Sequence, residues 1–209
     1  MKLMSPDPKL QFWFDFASTY SYLSAMRIDD LAGKAGVDVI WKPFLLGPIF
    51  ADNGWNTSPF NLFPAKGRYM WRDMERLAAE RNIPLKPPET FPQFTLTAAR
   101  VGIAAAGQPW LPGFCRALYE AEYGRGEDIT GKDAVAAALD RAGVRPDEWL
   151  EKAQHPDTKQ ALKDRVEQAR SLGIFGAPTF ITSDGELLWG DDRLEAAIAW
   201  ALKKSSGSS

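Results

Sequence analysis

The sequence is poor in the two side chains that most often carry redox, metal and nucleophilic chemistry. Its 209 residues include one cysteine, Cys115, and one histidine, His155. A single cysteine can form neither a disulfide within the chain nor a Cys-x-x-Cys redox pair, and a cysteine–histidine zinc cluster is excluded, so we assign no metal site. A Ser-His-Asp triad would need His155. The scarcity of cysteine fits a reducing compartment, and we expect a cytoplasmic protein.

The sequence also lacks an excess of charge of one sign and a long apolar run. Lysine and arginine number 25 and aspartate and glutamate 27, which gives a net charge of −2. This balance argues against nucleic acid as a partner. No stretch approaches the roughly 18 apolar residues of a membrane span, and the apolar residues 10–16 are too few for a signal sequence. We therefore expect a globular protein with neither a nucleic-acid nor a membrane partner.

The N-terminal part has the pattern of a βαβ unit. Residues 10–16 are rich in aromatic side chains and predict a buried strand. Residues 19–35 have helical periodicity, and residues 37–44 predict a second strand. Two strands joined by a helix of this length form a parallel pair.

The C-terminal part returns to strands. Residues 178–182 and 186–189 flank the turn Ser183-Asp184-Gly185 and predict an antiparallel hairpin, and a last helix is predicted over 191–202. Neither end of the chain has enough strands for a sheet of its own. We therefore predict an α/β fold in which both ends share one thioredoxin-like, mixed four-stranded sheet.

The middle of the chain is mostly helical. Helices are predicted over 66–81, 95–106, 111–123, 132–141, 146–154 and 158–172, after a loop rich in turn residues. We predict a thioredoxin-like domain formed by 9–46 and 173–203. The residues between, 47–172, form a large all-helical insertion with its return helix. Residues 204–209 have the composition of a flexible tail.

Ser18 directly follows the first predicted strand and opens the first helix. Serine is favoured as a helix N-cap, which is the simplest role for this residue. A helix N-terminus also has free N–H groups and a partial positive charge, which stabilise an anion. A thiolate is such an anion, and the pKa of a thiol falls near helix N-termini. Ser18 is therefore either an N-cap alone or part of a thiolate site.

Three further segments could bind a ligand, and each also has an ordinary structural explanation. Pro178 follows two glycines at a strand start, so it is either a cis-proline turn or the first residue of an edge strand. Asp191 and Asp192 open the last helix, either as caps or as a clamp for a ligand ammonium group. Lys66 or Arg68 could hold a carboxylate or remain solvated.

Four motifs lie in these segments. They are Phe-Asp-Phe-Ala-Ser-Thr-Tyr-Ser-Tyr-Leu at 14–23, Pro-Ala-Lys-Gly-Arg-Tyr-Met-Trp-Arg-Asp at 64–73, Phe-Gly-Ala-Pro-Thr-Phe at 175–180 and Trp-Gly-Asp-Asp-Arg-Leu-Glu at 189–195. Together they resemble the 2-hydroxychromene-2-carboxylate isomerases and, more broadly, the kappa-class glutathione transferases. Both groups have a DsbA-like thioredoxin fold, and the resemblance spans about residues 10–202.

The resemblance implies a binding site for glutathione. Ser18 would hydrogen-bond the glutathione sulfur and favour its thiolate. The backbone of Ala177, held by a cis Pro178, would pair with the backbone of the tripeptide. Asp191 and Asp192 would meet the γ-glutamyl end.

The substrate side is implied by the same resemblance. Lys66, with Asn53 or Asn56 from the preceding loop, would line the glutathione or substrate site. A slot for a small aromatic substrate is offered by side chains that could equally be core: Phe50, Trp55, Phe60, Phe63 and Trp71. In the implied reaction a thiolate adds to a conjugated alkene, the new single bond rotates and the thiol leaves, so that glutathione is a cofactor.

Several functions remain open at this point. The first is a glutathione-dependent isomerase of 2-hydroxychromene-2-carboxylate-type aromatic keto acids, in aromatic catabolism. The second is a transferase that joins glutathione to electrophiles, and the third a non-catalytic glutathione- or peptide-binding module. Thiol–disulfide exchange is disfavoured, because Ser18 replaces the nucleophilic cysteine and Cys115 lies in a helical segment, where it packs as a small apolar residue. The resemblance is compatible with a homodimer.

Overall fold

A computed structural model of the chain describes residues 8–205, and it contains one mixed four-stranded sheet in the order β2-β1-β3-β4. The strands are β1 (Lys9–Phe14), β2 (Asp38–Pro43), β3 (Thr179–Thr182) and β4 (Leu187–Trp189). β1 pairs in parallel with β2 and antiparallel with β3, and β3 pairs antiparallel with β4. The predicted sheet is confirmed, with strand ends that differ from the prediction by at most two residues.

Helices occupy most of the remaining described chain. They are α1 (Thr19–Ala25), α2 (Ile28–Ala35), α3 (Leu46–Ala51), α4 (Pro59–Leu62), α5 (Pro64–Glu80), α6 (Leu96–Ala104), α7 (Leu111–Tyr119), α8 (Lys132–Arg141), α9 (Pro146–Gln154), α10 (Pro156–Ser171) and α11 (Leu194–Ser205). A π-helical turn, Glu120–Gly124, continues α7, and a 3-10 turn, Asp191–Arg193, precedes α11. None of the helices between residues 8 and 205 is long and apolar enough to cross a membrane.

The prediction of one continuous helix over 19–35 is wrong, because the chain breaks at Arg27 between α1 and α2. The Arg27 backbone leaves the helical region, with a φ of −125°. Its guanidinium group donates to Asp191 and Glu195 at the other end of the chain. The break therefore coincides with long-range ion pairs, which cannot be recognised from the hydrophobic periodicity of residues 19–35.

Two further predictions need correction. The segment before residue 66, predicted as a loop, contains α3 and α4. At α4 the Ser58 Oγ accepts from the Phe60 N–H at 3.2 Å and Pro59 is the first helical residue, so a Ser-Pro pair that suggests a turn is here a helix start. At the C-terminus α11 continues through Ser205. Two residues of the predicted tail are thus helical, and 206–209 lie outside the described residues.

The alternation of β1 places its side chains on opposite faces of the sheet. Leu10, Phe12 and Phe14 belong to the main core, together with residues of α1, α2, α7 and α11. Trp13 faces a second core, where it packs with Val166 and other residues of α10. The sheet is therefore covered by helices on both faces, and the end of β1 leads directly to the N-terminus of α1.

Glu122, in the π-helical turn after α7, is fully buried. Within residues 8–205 no lysine or arginine pairs with it. Burial raises the pKa of Glu122 well above its usual range, because desolvation of the carboxylate outweighs the nearby Tyr123 hydroxyl. The native state therefore binds this proton more tightly than the unfolded state does.

We expect Glu122→Gln to stabilise the protein, and the gain to grow from pH 5 to pH 8. Protonated Glu122 stabilises the folded state fully below the pKa that Glu122 has in the unfolded chain. This contribution is lost as the pH rises towards its pKa in the folded protein, and it amounts to about 1.4 kcal/mol per unit of difference between the two pKa values. Glutamine does not titrate, so it does not incur this loss. Urea unfolding of wild type and variant at several pH values measures the effect. Glu120→Gln, a partly exposed neighbour, is the control, and an equal gain at every pH would contradict the prediction.

Candidate functional site

A cavity of about 1660 Å³ opens at one edge of the sheet. β1, β2 and β4 end at this edge, and the antiparallel strand β3 begins there. Parallel strands end at the same edge of a sheet, and an antiparallel strand begins there. The segments 15–20, 45–51, 175–178 and 189–192 therefore meet around one cavity, and α5 supplies a further wall.

All eight residues assigned to the site from the sequence line this cavity. They are Ser18, Asn53, Asn56, Lys66, Ala177, Pro178, Asp191 and Asp192. Arg68, considered as an alternative to Lys66, is not part of the wall. The structure thus brings together residues that lie up to 174 positions apart (18 to 192) in the sequence.

Ser18 is the N-cap of α1, as predicted. Its Oγ accepts from the Ser21 N–H at 3.2 Å and donates to the Ala177 carbonyl oxygen at 3.0 Å. The residue is 8% exposed, so its hydroxyl faces the cavity from a nearly buried position. A hydroxyl in this place can donate to an anion at the N-terminus of α1, where the helix dipole also favours negative charge.

Ala177 is partly exposed and lies directly opposite Ser18. The Ala177–Pro178 peptide bond is cis, which confirms the prediction. Within residues 8–205 the Ala177 N–H has no hydrogen-bond partner. Before it, a side chain at Gly176 would lie 2.4 Å from the Trp189 indole nitrogen, so the half-exposed indole would have to move to admit one. The backbone at Ala177 is therefore a short edge that a peptide-like ligand could pair with.

Asp15 has a role at the site that the sequence reasoning missed. Its Oδ1 accepts from the Ala17 N–H at 2.9 Å and from the Thr95 hydroxyl at 3.2 Å, and its Oδ2 accepts from the Leu46 N–H at 2.7 Å. The residue is buried, and burial raises its pKa, although the three hydrogen bonds oppose this rise. One carboxylate thus holds together three segments of the cavity wall. The only signal in the sequence is an acidic residue directly after a buried strand.

Asp191 is buried, and its carboxylate is fully engaged by neighbouring side chains. Oδ1 accepts from the Ser24 hydroxyl at 2.9 Å and from Arg27 at 3.2 Å. Oδ2 accepts from Nη1 of Arg81. Two guanidinium groups therefore already face the carboxylate that was expected to meet a ligand ammonium group.

The other predicted polar residues are exposed at the cavity. Asp192 has a side chain that is 70% exposed and lies 3.1 Å from Arg193. The Lys66 ammonium lies 4.8 Å from the centre of the Phe63 ring. The Asn53 amide donates to the Ile49 carbonyl oxygen at 3.2 Å. Asn56 likewise remains exposed.

The aromatic wall differs in part from the prediction. Phe50, Trp55 and Phe60 line the cavity, as expected. Phe63 and Trp71 do not line it: Phe63 packs edge-on against Trp55, and Trp71 packs edge-on against Phe91. Six lining aromatic residues were missed: Tyr20, Tyr69, Phe91, Phe94, Phe175 and Trp189. They come from five separate segments, so no local pattern marks them.

The cavity has no thiol of its own. Cys115 is buried in α7 within the main core, as predicted, and burial raises the pKa of its thiol. In the described part of the chain no group of three or more His, Cys, Asp or Glu side chains could hold a metal ion. The arrangement can instead bind and polarise an anion brought by a ligand, next to a peptide-pairing edge and an aromatic wall.

Comparison with known proteins gives concordant matches over nearly the whole chain. The family of DSBA-like thioredoxin domains matches residues 9–199. A 2-hydroxychromene-2-carboxylate isomerase of Sphingobium xenophagum is 29% identical over 194 residues, covering 92% of this chain and 97% of the relative. The glutathione S-transferase kappa 1 of Homo sapiens is 30% identical over 206 residues, covering 92% and 90%. A solved structure of a 2-hydroxychromene-2-carboxylate isomerase superposes with a TM-score of 0.83 at 22% identity, covering 96% of this chain and 99% of that one.

Proposed function

Because the chain belongs to the family of DSBA-like thioredoxin domains, we propose that it binds glutathione and isomerises aromatic keto acids of the 2-hydroxychromene-2-carboxylate type. The observation that carries the proposal is the Ser18 hydroxyl, which faces a cavity without a thiol, at a helix N-terminus and 3.0 Å from the Ala177 carbonyl oxygen. A site built in this way can use the thiol of a bound cofactor. The names of the relatives support both the cofactor and the reaction.

The residues present fit glutathione and a second molecule. Ligand pockets commonly have volumes of roughly 300–1,000 Å³, whereas this cavity has about 1660 Å³. The edge at Ala177 suits a tripeptide backbone, and Lys66 suits a carboxylate. The aromatic wall suits a flat apolar substrate next to the sulfur.

When bound, glutathione would supply the thiolate that adds to the substrate alkene and leaves after the new single bond has rotated. The chain would have to favour that thiolate over the thiol. Lowering a thiol pKa by one unit needs about 1.4 kcal/mol. The dipole of α1, at ~0.3–1 kcal/mol, and one charge-assisted hydrogen bond from Ser18, at ~1.5–3 kcal/mol, are together sufficient. The Ser18 hydroxyl, which now donates to Ala177, would rotate to donate to the sulfur.

A kappa-type glutathione transferase is the second candidate, and the 30% identity to a human enzyme of that name favours it. The same thiolate site would serve both activities. In the isomerase glutathione is recovered, whereas in the transferase it leaves as an adduct. Only the product distinguishes the two.

The experiment follows both products in one design. The protein is incubated with glutathione and 2-hydroxychromene-2-carboxylate, and the open-chain isomer and free thiol are quantified over time. A parallel reaction uses 1-chloro-2,4-dinitrobenzene and measures the glutathione adduct. We expect isomerisation that depends on glutathione without consuming it. Adduct formation without isomerisation would establish the second candidate. The absence of both activities would refute the proposal.

Asp192 is the carboxylate that we propose as the partner of a ligand ammonium group. We expect Asp192→Asn to weaken glutathione binding by about 1–1.5 kcal/mol. This lies between the values for an exposed ion pair and for a charged hydrogen bond. As a mere cap it would change little, because asparagine caps as well as aspartate. Calorimetric titration measures the affinity. Arg193→Gln, which removes the ion-pair partner of Asp192 outside the cavity wall, is the control, and wild-type affinity in Asp192→Asn would refute the clamp.

A further inference from the structure

One face of α5 lines the cavity along the whole length of the helix. Its lining residues recur at intervals of four: Ala65, Tyr69, Asp73, Leu77 and Arg81, the last of which is the C-cap. Residues four positions apart are neighbours on the surface of an α-helix, so this series forms a continuous stripe that winds around α5. A rise of 1.5 Å per residue puts about 24 Å between the two ends of this face. Lys66 lines the cavity at one end and Arg81 at the other.

Arg81 is fixed by a buried carboxylate. Its Nη1 donates to Oδ2 of Asp191, whose side chain is 2% exposed. Asp191 also accepts from Arg27, which in turn pairs with Glu195 at 2.7 Å. Glu195 thus offsets the charge of Arg27. Asp191 is the only ion-pair partner of Arg81 among the described residues, and Arg81 shares it with Arg27, while Glu195 acts on both arginines.

Arg81 also retains unused donors towards the cavity. A guanidinium group has five N–H donors. In the described part of the chain, Nη1 is the only guanidinium nitrogen of Arg81 with a hydrogen bond. The side chain is 19% exposed and forms part of the cavity wall. Planar guanidinium groups bind carboxylates with two parallel hydrogen bonds, and the remaining edge of Arg81 has this geometry.

We infer that Arg81, held in place by Asp191, binds a carboxylate in this cavity, and we assign to it a carboxylate of glutathione. The inference rests on the proposed function. Glutathione has two carboxylates, and among the described residues the cavity wall has two cationic side chains, Lys66 and Arg81. An extended tripeptide spans about 10 Å, so the exposed Lys66 side chain, whose ammonium now lies over the Phe63 ring, would have to swing towards Arg81. Asp191 is then a positioning residue and does not contact the ligand.

The test compares Arg81→Gln with Arg27→Gln. Arg27 binds the same carboxylate of Asp191 but is not part of the cavity wall, so its variant reports the structural cost of losing one arginine. Calorimetric titration with glutathione is expected to show ~10- to 100-fold weaker binding for Arg81→Gln, the effect of a lost charged hydrogen bond, and little change for Arg27→Gln. Two glutathione amides, each lacking one carboxylate, then identify the group. For the amide that lacks the partner of Arg81, the effect of the substitution disappears.

Kinetics distinguish the second source of a carboxylate. If Arg81→Gln binds glutathione normally but raises the KM only for a carboxylated aromatic substrate, and not for 1-chloro-2,4-dinitrobenzene, the assignment to glutathione is overturned and Arg81 binds the substrate. Equal losses in the Arg81 and Arg27 variants, or unchanged glutathione affinity together with an unchanged KM in both, overturn carboxylate binding altogether. Should Arg81→Gln fail to fold, Arg81→Lys keeps the charge without the planar fork and is expected to bind glutathione more weakly than wild type. Wild-type protein that binds no glutathione refutes the proposed function instead.

Discussion

Ser18→Ala is expected to lower the turnover of 2-hydroxychromene-2-carboxylate by roughly ten- to a thousandfold, the ~1.4–4 kcal/mol range of one lost transition-state donor. The Ser18 hydroxyl is the only side-chain donor that the structure places at both the N-terminus of α1 and the Ala177 edge, within the described residues. Alanine there leaves the helix dipole in place but removes the hydrogen bond to the sulfur. Glutathione affinity should fall much less than turnover, because the tripeptide keeps its other contacts.

The control must separate chemistry from capping. Ser18→Ala also deletes an N-cap, at a cost of about 1 kcal/mol in stability. Ser58→Ala deletes the N-cap of α4 in the wall of the same cavity, so it reproduces the structural loss without touching the proposed thiolate site. We expect similar unfolding temperatures in both variants and a large fall in kcat only for Ser18→Ala. An unchanged kcat in Ser18→Ala would refute the assigned role. A second measurement is the thiol pKa of bound glutathione, which should rise in Ser18→Ala.

The structural features that could be predicted from the residues themselves are those that short-range sequence patterns determine. The aromatic run of β1, the switch to helical periodicity after Ser18 and the turn Ser183-Asp184-Gly185 are each complete within a few residues. Together they give a parallel pair and a hairpin, and in one shared sheet of the order β2-β1-β3-β4 these pairs bring the loops to one edge. The cavity follows from this topology, whereas Ser18 and Asp192 were assigned to one site by the family resemblance of their motifs.

The features that could not be predicted depend on side chains that meet across long stretches of sequence. Arg27 breaks the first helix and pairs with Asp191, 164 residues away. Asp15 binds Thr95, 80 residues away. The acidic pair at 191–192 has the same local appearance whether it caps a helix, clamps an ammonium group or holds an arginine. The two residues are distinguished by Arg81 at the end of α5 and Arg27 at the break after α1. Both arginines pair with Asp191, and Asp192 remains exposed.

Asp15→Ala is expected to have the largest effect on stability of the substitutions considered. It leaves three donors at the cavity edge without their acceptor: the Ala17 and Leu46 N–H groups and the Thr95 hydroxyl. Each buried donor left unpaired costs about 1–3 kcal/mol. Removing a buried carboxylate, whose pKa is raised by burial, returns part of that cost. We expect a net loss of roughly 2–4 kcal/mol and, at about 2–4 °C per kcal/mol for a chain of this size, a fall of roughly 5–15 °C in the Tm.

Asp15→Asn and Thr95→Ala divide this effect into its parts. Asparagine keeps the size of Asp15 and one acceptor oxygen, but its amide would point N–H groups at the Leu46 N–H, so the variant should remain well below wild type in stability. Thr95→Ala removes one hydrogen bond of the three and should cost only about 1 kcal/mol. Thermal unfolding of the three variants at pH 7 gives the order Asp15→Ala, Asp15→Asn, Thr95→Ala from least to most stable. Equal Tm values for Asp15→Ala and Thr95→Ala would mean that the contacts to Ala17 and Leu46 contribute nothing. In that case the start of α1, the start of α3 and the start of α6 would not depend on a shared carboxylate for their arrangement around the cavity.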